Sequence, residues 1–364
     1  MSPVRAVLPV FLVVARGAVA SPAVPPERSL VPSAGDLLVE AFRFSSGETL
    51  PVRLHYRTLG NARRDLHGDV TNAVLLLHGT GGSGEGFLGP AWEADLFSPG
   101  QPLDARRYFI VLPDALGHGQ SSKPSDGLGT RFPRYDYDDM VAGQRLVLDR
   151  LGVRRLRVIV GTSMGCMHGW LWVERHPADV DAFLALSCQP TPIAGRNAVW
   201  REVLRSAIRD DPAWNGGRYE RQPPSLRLAG SLVLLMTGSA KEMQAKGPTR
   251  ETALARFEAD LDRYLAGRDA NDVLYQWDSS RSYDPSAGLE SVRARLVAVN
   301  AADDAIDPPE LGVVEREVRR VPNGRFVLLP ASEENRGHRI YLNPLAWRSY
   351  LEELLRAGDG RPGP

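Results

Sequence analysis

The sequence predicts an α/β fold: a mostly parallel central sheet flanked by helices, with a helical cap inserted late in the chain. Three observations carry this. Short, unbroken apolar runs recur along the chain and read as strands buried on both faces. Helix-periodic segments lie between them, the alternation expected of a parallel sheet. One stretch, residues 191–278, breaks that alternation with weak strand signal and several helical patterns, and strands resume directly after it.

Residues 1–20 have the layout of a secretory signal peptide: Arg5, an apolar run from Ala6 to Ala15, and Ala18-Val19-Ala20 as a small-x-small cleavage site. That run is short for a bilayer span. The mature chain is therefore expected to start near Ser21, to be secreted or periplasmic, and to carry no stable membrane span. Residues 21–36, punctuated by Pro22, Pro25, Pro26 and Pro32, read as a disordered lead-in.

The core is expected over residues 37–190 and 279–358. "DLLVEAFRF" and "LPVRLHYRTLG" read as an early antiparallel pair. "NAVLLLHG", "RYFIVLPDALG", "RLRVIVG", "VDAFLALSCQP", "ARLVAVNAADD" and "GRFVLLPAS" read as buried strands. Asp139 to Leu151 places Met140, Val147, Leu148 and Leu151 on one helical face, and Gly152 can end that helix. "SMGCMHGWLWVERHP" is a helix stopped by Pro177, and "AWRSYLEELLRAG" closes the chain. Within the cap, Val199, Val203 and Ala207 with Trp200, Leu204 and Ile208 read as one amphipathic stripe. Further helices are expected at about Ser231 to Lys241 and Glu251 to Leu265.

Acidic and basic residues balance at 44 each, and no strong basic run supplies a nucleic-acid surface. Two cysteines, Cys166 and Cys188, are too few for a disulfide scaffold. Their apolar surroundings read as two buried thiols, with one bridge open to them if the protein is exported. No Walker loop, dinucleotide fingerprint or clustered Cys/His set is present, so no cofactor or metal is expected. The sequence leaves a homodimer open.

The chemistry concentrates at Gly161-Thr162-Ser163-Met164-Gly165. A strand precedes it and a helix follows, the setting in which Gly-x-Ser-x-Gly displays a serine hydroxyl at the C-terminal edge of a sheet. A hydroxyl is a weak nucleophile and needs a base, which needs an orienting acid. Of the seven histidines, His338 lies in a loop after the last strand, downstream of the acid-bearing strand end, and is the expected base. Asp303, Asp304 and Asp307 follow "RLVAVN"; Asp304 is preferred because Pro308 stands four residues on. The oxyanion needs two backbone donors. The amides of Met164 and of Thr80, in the loop after "NAVLLLHG", are the expected pair. His78 and His118 read as loop-ordering residues and His168 as a packed one. A non-catalytic binding fold would lack a member of the triad, and none is lacking.

At these residues the chain resembles the α/β-hydrolase superfamily, and within it the homoserine O-acetyltransferase-like branch. The carriers are "LLHGTGGSG", "FSPGQPLDARRYFIVLPDALGHGQSSKPSDG", "FPRYDYDDMV", "GTSMGCMHGW", "RSAIRDDPAWNGGRY", "DANDVLYQWDSSRSYDP" and "VNAADDAIDPPEL", and the likeness runs from about Leu37 to Leu355. It implies an α/β-hydrolase fold, a small-molecule acyl substrate and the triad Ser163, Asp304, His338. Departures from the transferases separate hydrolysis from acyl transfer. The transferases carry an acid after the catalytic histidine, where this chain has Arg339. Their nucleophile motif is typically Gly-Gly-Ser-Met-Gly-Gly, where this chain has Gly161-Thr162-Ser163-Met164-Gly165-Cys166. The "GHGQSSKPSDG" loop resembles the hydrolase-like relatives, and export sits badly with acetyl-CoA. The expectation is a serine hydrolase cleaving an ester or related acyl compound, with an O-acyltransferase using an acyl-CoA donor as the alternative.

Overall fold

A computed structural model describes residues 30–356. Residues 1–20, read as a signal peptide, lie outside them, as does most of the expected lead-in. The last four lead-in residues, Ser33 to Asp36, belong to the first strand. Their backbones pair with Tyr56 to Thr58 and His55, which corrects the expected boundary.

Among the described residues, eight strands form one sheet in the order β1-β2-β4-β3-β5-β6-β7-β8. They are β1 (Ser33–Arg43), β2 (Thr49–Leu59), β3 (Ala73–Leu77), β4 (Phe109–Pro113), β5 (Val158–Thr162), β6 (Ala182–Leu186), β7 (Arg295–Ala301) and β8 (Gly324–Leu329). β1 and β2 are antiparallel to their neighbours, and every other pairing is parallel. The central strands have no solvent face, which is why they read as continuous apolar runs. Leu75 and Leu77 of β3 enter one core while Val74 and Leu76 enter the other, following the two-residue period of a strand.

Helices cover both faces. On one side pack α1 (Tyr137–Leu151) and α2 (Met164–Arg175), which bring Met140, Val147, Trp170 and Trp172 to the core. Asp136 caps α1 by accepting from the amides of Asp138 and Asp139, and Gly152 ends it at φ 75°.

Between β6 and β7 lie α3 (Gly195–Arg209), α4 (Ser225–Thr237), α5 (Ala240–Lys246), α6 (Arg250–Leu265) and α7 (Ala270–Asp278). They enclose a separate apolar cluster that includes Trp200, Leu204, Val233, Val273 and Trp277, and Ile306 of the loop after β7 joins it. A short helix, α8 (Val313–Val318), follows that loop. α9 (Arg348–Arg356) closes the second face of the sheet, with Trp347, Leu351 and Leu354 buried.

Two helical expectations in this region change. The helix expected from Ser231 to Lys241 is two helices. α4 stops before Gly238, and Ser239 starts α5 by accepting from the amide of Glu242. The stripe expected on α3 splits: Trp200, Leu204 and Ile208 are buried, whereas Val199 and Val203 are 62% and 48% exposed. The two sets are offset by one residue, roughly 100° around a helix. The buried face continues instead through the polar pair Asn197 and Arg201.

The two cysteines are also not free thiols. Cys166 and Cys188 form a disulfide, with Cα atoms 6.0 Å apart. Strand pairing brings them together: Thr162 of β5 lies opposite Leu186 of β6. Cys166 in the first turn of α2 and Cys188 just past β6 therefore leave the sheet side by side. Among the described residues, no helix is long and apolar enough to cross a membrane.

Candidate active site

β5 ends at Thr162 and α2 begins at Met164, so the chain must reverse at Ser163 alone. Its backbone pays with φ 51° and ψ −115°, a conformation that L-residues avoid and that surrounding contacts must hold. The Ser163 amide donates to the Leu186 carbonyl at 2.9 Å. The flanking glycines are there for space. A Cβ at Gly161 would sit 2.5 Å from the Gly165 carbonyl oxygen, and one at Gly165 would sit 2.1 Å from that of Leu77.

The sheet then gathers the other expected residues at the same edge. Ser163 Oγ lies 2.9 Å from His338 Nε2. His338 Nδ1 lies 2.8 Å from Asp304 Oδ2. The other Asp304 oxygen accepts from the amides of Ile306 and Asp307 at 2.8 and 3.1 Å, which fixes the carboxylate. Of the candidate acids, Asp303 turns away, its Oδ2 accepting from Ser239 Oγ at 2.5 Å. Asp307 stays close, with Oδ2 3.8 Å from His338 Nδ1. Among the described residues, neither Asp307 oxygen has a hydrogen-bond partner. His338, Asp304 and Asp307 are each 2% exposed.

These groups shift one another. Burial works against a charged His338 ring, but contact with Asp304 and the field of Asp307 outweigh it, so its pKa stands above the ordinary histidine value. Burial, with the neighbouring Asp304 charge, pushes the Asp307 carboxyl up to about 7. Asp304, Asp307 and His338 are also the one group of metal-capable side chains gathered among the described residues, with donor atoms within 4.8 Å of one another. The sequence spacing did not reveal that cluster. Its imidazole nitrogen is already engaged by Asp304.

Thr80 lines the cavity shared by Ser163 and His338. Met164 is the first residue of α2, where an amide has no intrahelical acceptor, and its side chain is buried. The loop holding Thr80 is stapled by His78. Its Nε2 accepts from the Ala115 amide at 3.0 Å, so Nδ1 carries the proton and donates to the Gly79 carbonyl at 2.9 Å. His118 Nδ1 sits 3.1 Å from the Leu116 carbonyl. His168 is buried against Tyr137 and accepts from Gln144 at 3.0 Å, and burial lowers its pKa to about 3.

The cavity has a volume of about 300 Å³ and passes between the sheet edge and the helices that follow β6. Phe87, Trp92, Val233, Trp277 and Ile306 give it an apolar wall. Arg201, Arg268 and Arg339 also reach it, and sequence reasoning gave the first two no role. Only their convergence from separate cap helices and loops marks them. Arg339, next to His338, is held by Glu242 of α5 at 2.8 Å.

The model of the α/β hydrolase fold family matches residues 72–333. A probable acyltransferase of Methanothermobacter thermautotrophicus is 30% identical over 80% of this chain and 88% of its own length. A homoserine O-acetyltransferase of Pelobacter propionicus is 30% identical over 75% and 80%. Among solved structures, homoserine O-acetyltransferase from Bacillus anthracis superposes with a TM-score of 0.75 at 19% identity, covering 90% of this chain and 98% of that one. An acetylester hydrolase from Corynebacterium glutamicum superposes with a TM-score of 0.76 at 21% identity, covering 89% and 96%. Sheet order, strand–serine–helix turn and sequence likeness agree: this chain is an enzyme of the α/β hydrolase fold family, on its homoserine O-acetyltransferase-like branch.

Proposed function

We propose that the protein is a serine hydrolase that cleaves an ester or related acyl compound through an acyl-enzyme on Ser163. The continuous relay Ser163–His338–Asp304, opening on a largely apolar cavity, carries this reading. Ser163 Oγ attacks the carbonyl carbon while His338 Nε2 takes its proton. Asp304 holds the ring with Nε2 toward the serine and stabilises the imidazolium that forms. The amides of Thr80 and Met164 receive the developing oxyanion. His338 then protonates the leaving alcohol, and a water, activated by the same ring, releases the acid.

The alternative is acyl transfer, in which an alcohol replaces that water. The names of the relatives favour it. The site favours hydrolysis over homoserine transfer, because among the described residues no acidic side chain lines the cavity to hold an ammonium group. Export is part of the proposal. The leader composition supports it, and so does the Cys166–Cys188 disulfide, since such bonds persist in oxidising compartments. The experiment is a panel of nitrophenyl esters of increasing acyl length, run with and without acetyl-CoA and homoserine. Ester turnover unchanged by homoserine supports the hydrolase. Acyl transfer to homoserine well above hydrolysis of acetyl-CoA alone supports the alternative.

A further inference from the structure

The wall of the Ser163 cavity is electrostatically one-sided. Among the described residues, Arg201, Arg268 and Arg339 line it, and no Asp or Glu does. Arg339 is answered by Glu242. Among the described residues, Arg201 and Arg268 have no carboxylate within 4.0 Å.

Arg201 is 6% exposed. Neutral groups hold its guanidinium: Nε donates to Asn197 Oδ1 at 2.8 Å and Nη1 to Ser280 Oγ at 3.1 Å. Its carbon lies 4.8 Å from the centroid of the Trp277 ring and 5.5 Å from that of Trp200. Asp307 exerts a field on it, but from beyond ion-pair distance. Arg268 is half-buried over the Tyr264 ring, 3.9 Å from the centroid, with Nε on the Tyr264 carbonyl at 2.6 Å. Its Nη1 lies against the oxyanion loop, 2.5 Å from where a Cβ on Gly81 would stand.

A buried cation without a counter-charge is strongly unfavourable unless something completes it. Stacking and neutral acceptors orient Arg201 without neutralising it. The planar guanidinium fork matches a carboxylate, and does so best where water is excluded. We propose that the substrate carries a free carboxylate, held in the cavity by Arg201, with Arg268 adding positive potential beside the oxyanion loop. The substrate class is then an acyl ester with an anionic end, either a half-ester of a dicarboxylic acid or an ester of a hydroxy-acid. This rests on the hydrolase reading for turnover, though not for binding.

The test compares kcat/KM for matched pairs. On the acyl side these are mono-4-nitrophenyl glutarate and 4-nitrophenyl pentanoate; on the alcohol side, 4-acetoxybenzoate and 4-acetoxytoluene. In one pair the carboxylate ester is expected to win by about 10- to 100-fold, the worth of a hydrogen-bonded charge. Arg201→Met is expected to bring that ratio close to one, and Arg268→Met to lower it less. Neutral esters preferred in both pairs, or a ratio that survives Arg201→Met, would overturn the proposal. The wild-type ratios need no variant and decide the matter if Arg201→Met fails to fold. Calorimetric titration of Ser163→Ala with 4-acetoxybenzoate and with mono-4-nitrophenyl glutarate separates the two readings. Binding of either ester by a protein whose wild type turns over no ester sinks the hydrolase and upholds the carboxylate site. Turnover of neutral esters without binding of either does the reverse.

Discussion

Ser163 Oγ and His338 Nε2 stand 2.9 Å apart although 175 residues separate them in the chain. The contact joins the turn after β5 to the loop after β8, two strands that are not neighbours in the sheet. It depends on the sheet order and on the acid that orients the ring. Asp304→Asn is expected to lower kcat by about 10³- to 10⁴-fold with the fold intact, because the imidazole loses the acceptor that fixes its tautomer. Asp303→Asn is expected to do far less, since Asp303 faces Ser239. Steady-state kinetics on one nitrophenyl ester checks both, and the opposite ranking would reassign the acid.

The acid limb of the pH profile should report His338. The base acts only when neutral, so kcat/KM falls as pH drops through its pKa, which stands above the ordinary value. Asp307 contributes to that elevation. Asp307→Asn removes a nearby negative charge, stabilises the neutral ring relative to the imidazolium, and should move the limb to lower pH. A limb that stays in place or moves upward would show that Asp307 does not act on the base.

The turn itself is sterically tight. Gly165→Ala would drive a methyl into the Leu77 carbonyl, and is expected to cost about 1–3 kcal/mol and to displace Ser163. Gly89→Ala, where a Cβ meets nothing within 4 Å, should stay within about 0.5 kcal/mol. Thermal melts of the two variants make the comparison; equal losses would mean that the turn relaxes around an added methyl.

The disulfide closes a short loop, its cysteines 22 residues apart, around the strand that follows α2. Reduction, or the double substitution of Cys166 and Cys188 by serine, is expected to lower stability by about 3 kcal/mol. A melting temperature indifferent to reductant would contradict this.

Much of the fold could be read locally. β3 to β7 are apolar runs because neither face meets solvent, and the strand–Gly-x-Ser-x-Gly–helix pattern lies within one short segment. The relay was legible because the order serine, acid, histidine follows the order of strand ends. What escaped depends on partners distant in the chain. The bridge between Cys166 and Cys188 requires the β5–β6 pairing. Val199 and Val203 look like core residues until the face bearing Arg201 proves to be the buried one. Arg201 and Arg268 acquire meaning only where α3 and the chain before α7 meet the loop of Thr80 and Gly81. No local pattern distinguishes them from solvated arginines.

Active-site labelling of the purified protein with a fluorophosphonate, mapped to the peptide by mass spectrometry, tests the central claim most directly. The expected result is a single adduct on Ser163. It should vanish in Ser163→Ala and be slowed by orders of magnitude in His338→Ala, and ester turnover should fall in parallel. An adduct on another residue, or labelling that persists in Ser163→Ala, would contradict the assignment of Ser163 as nucleophile and the hydrolytic function built on it.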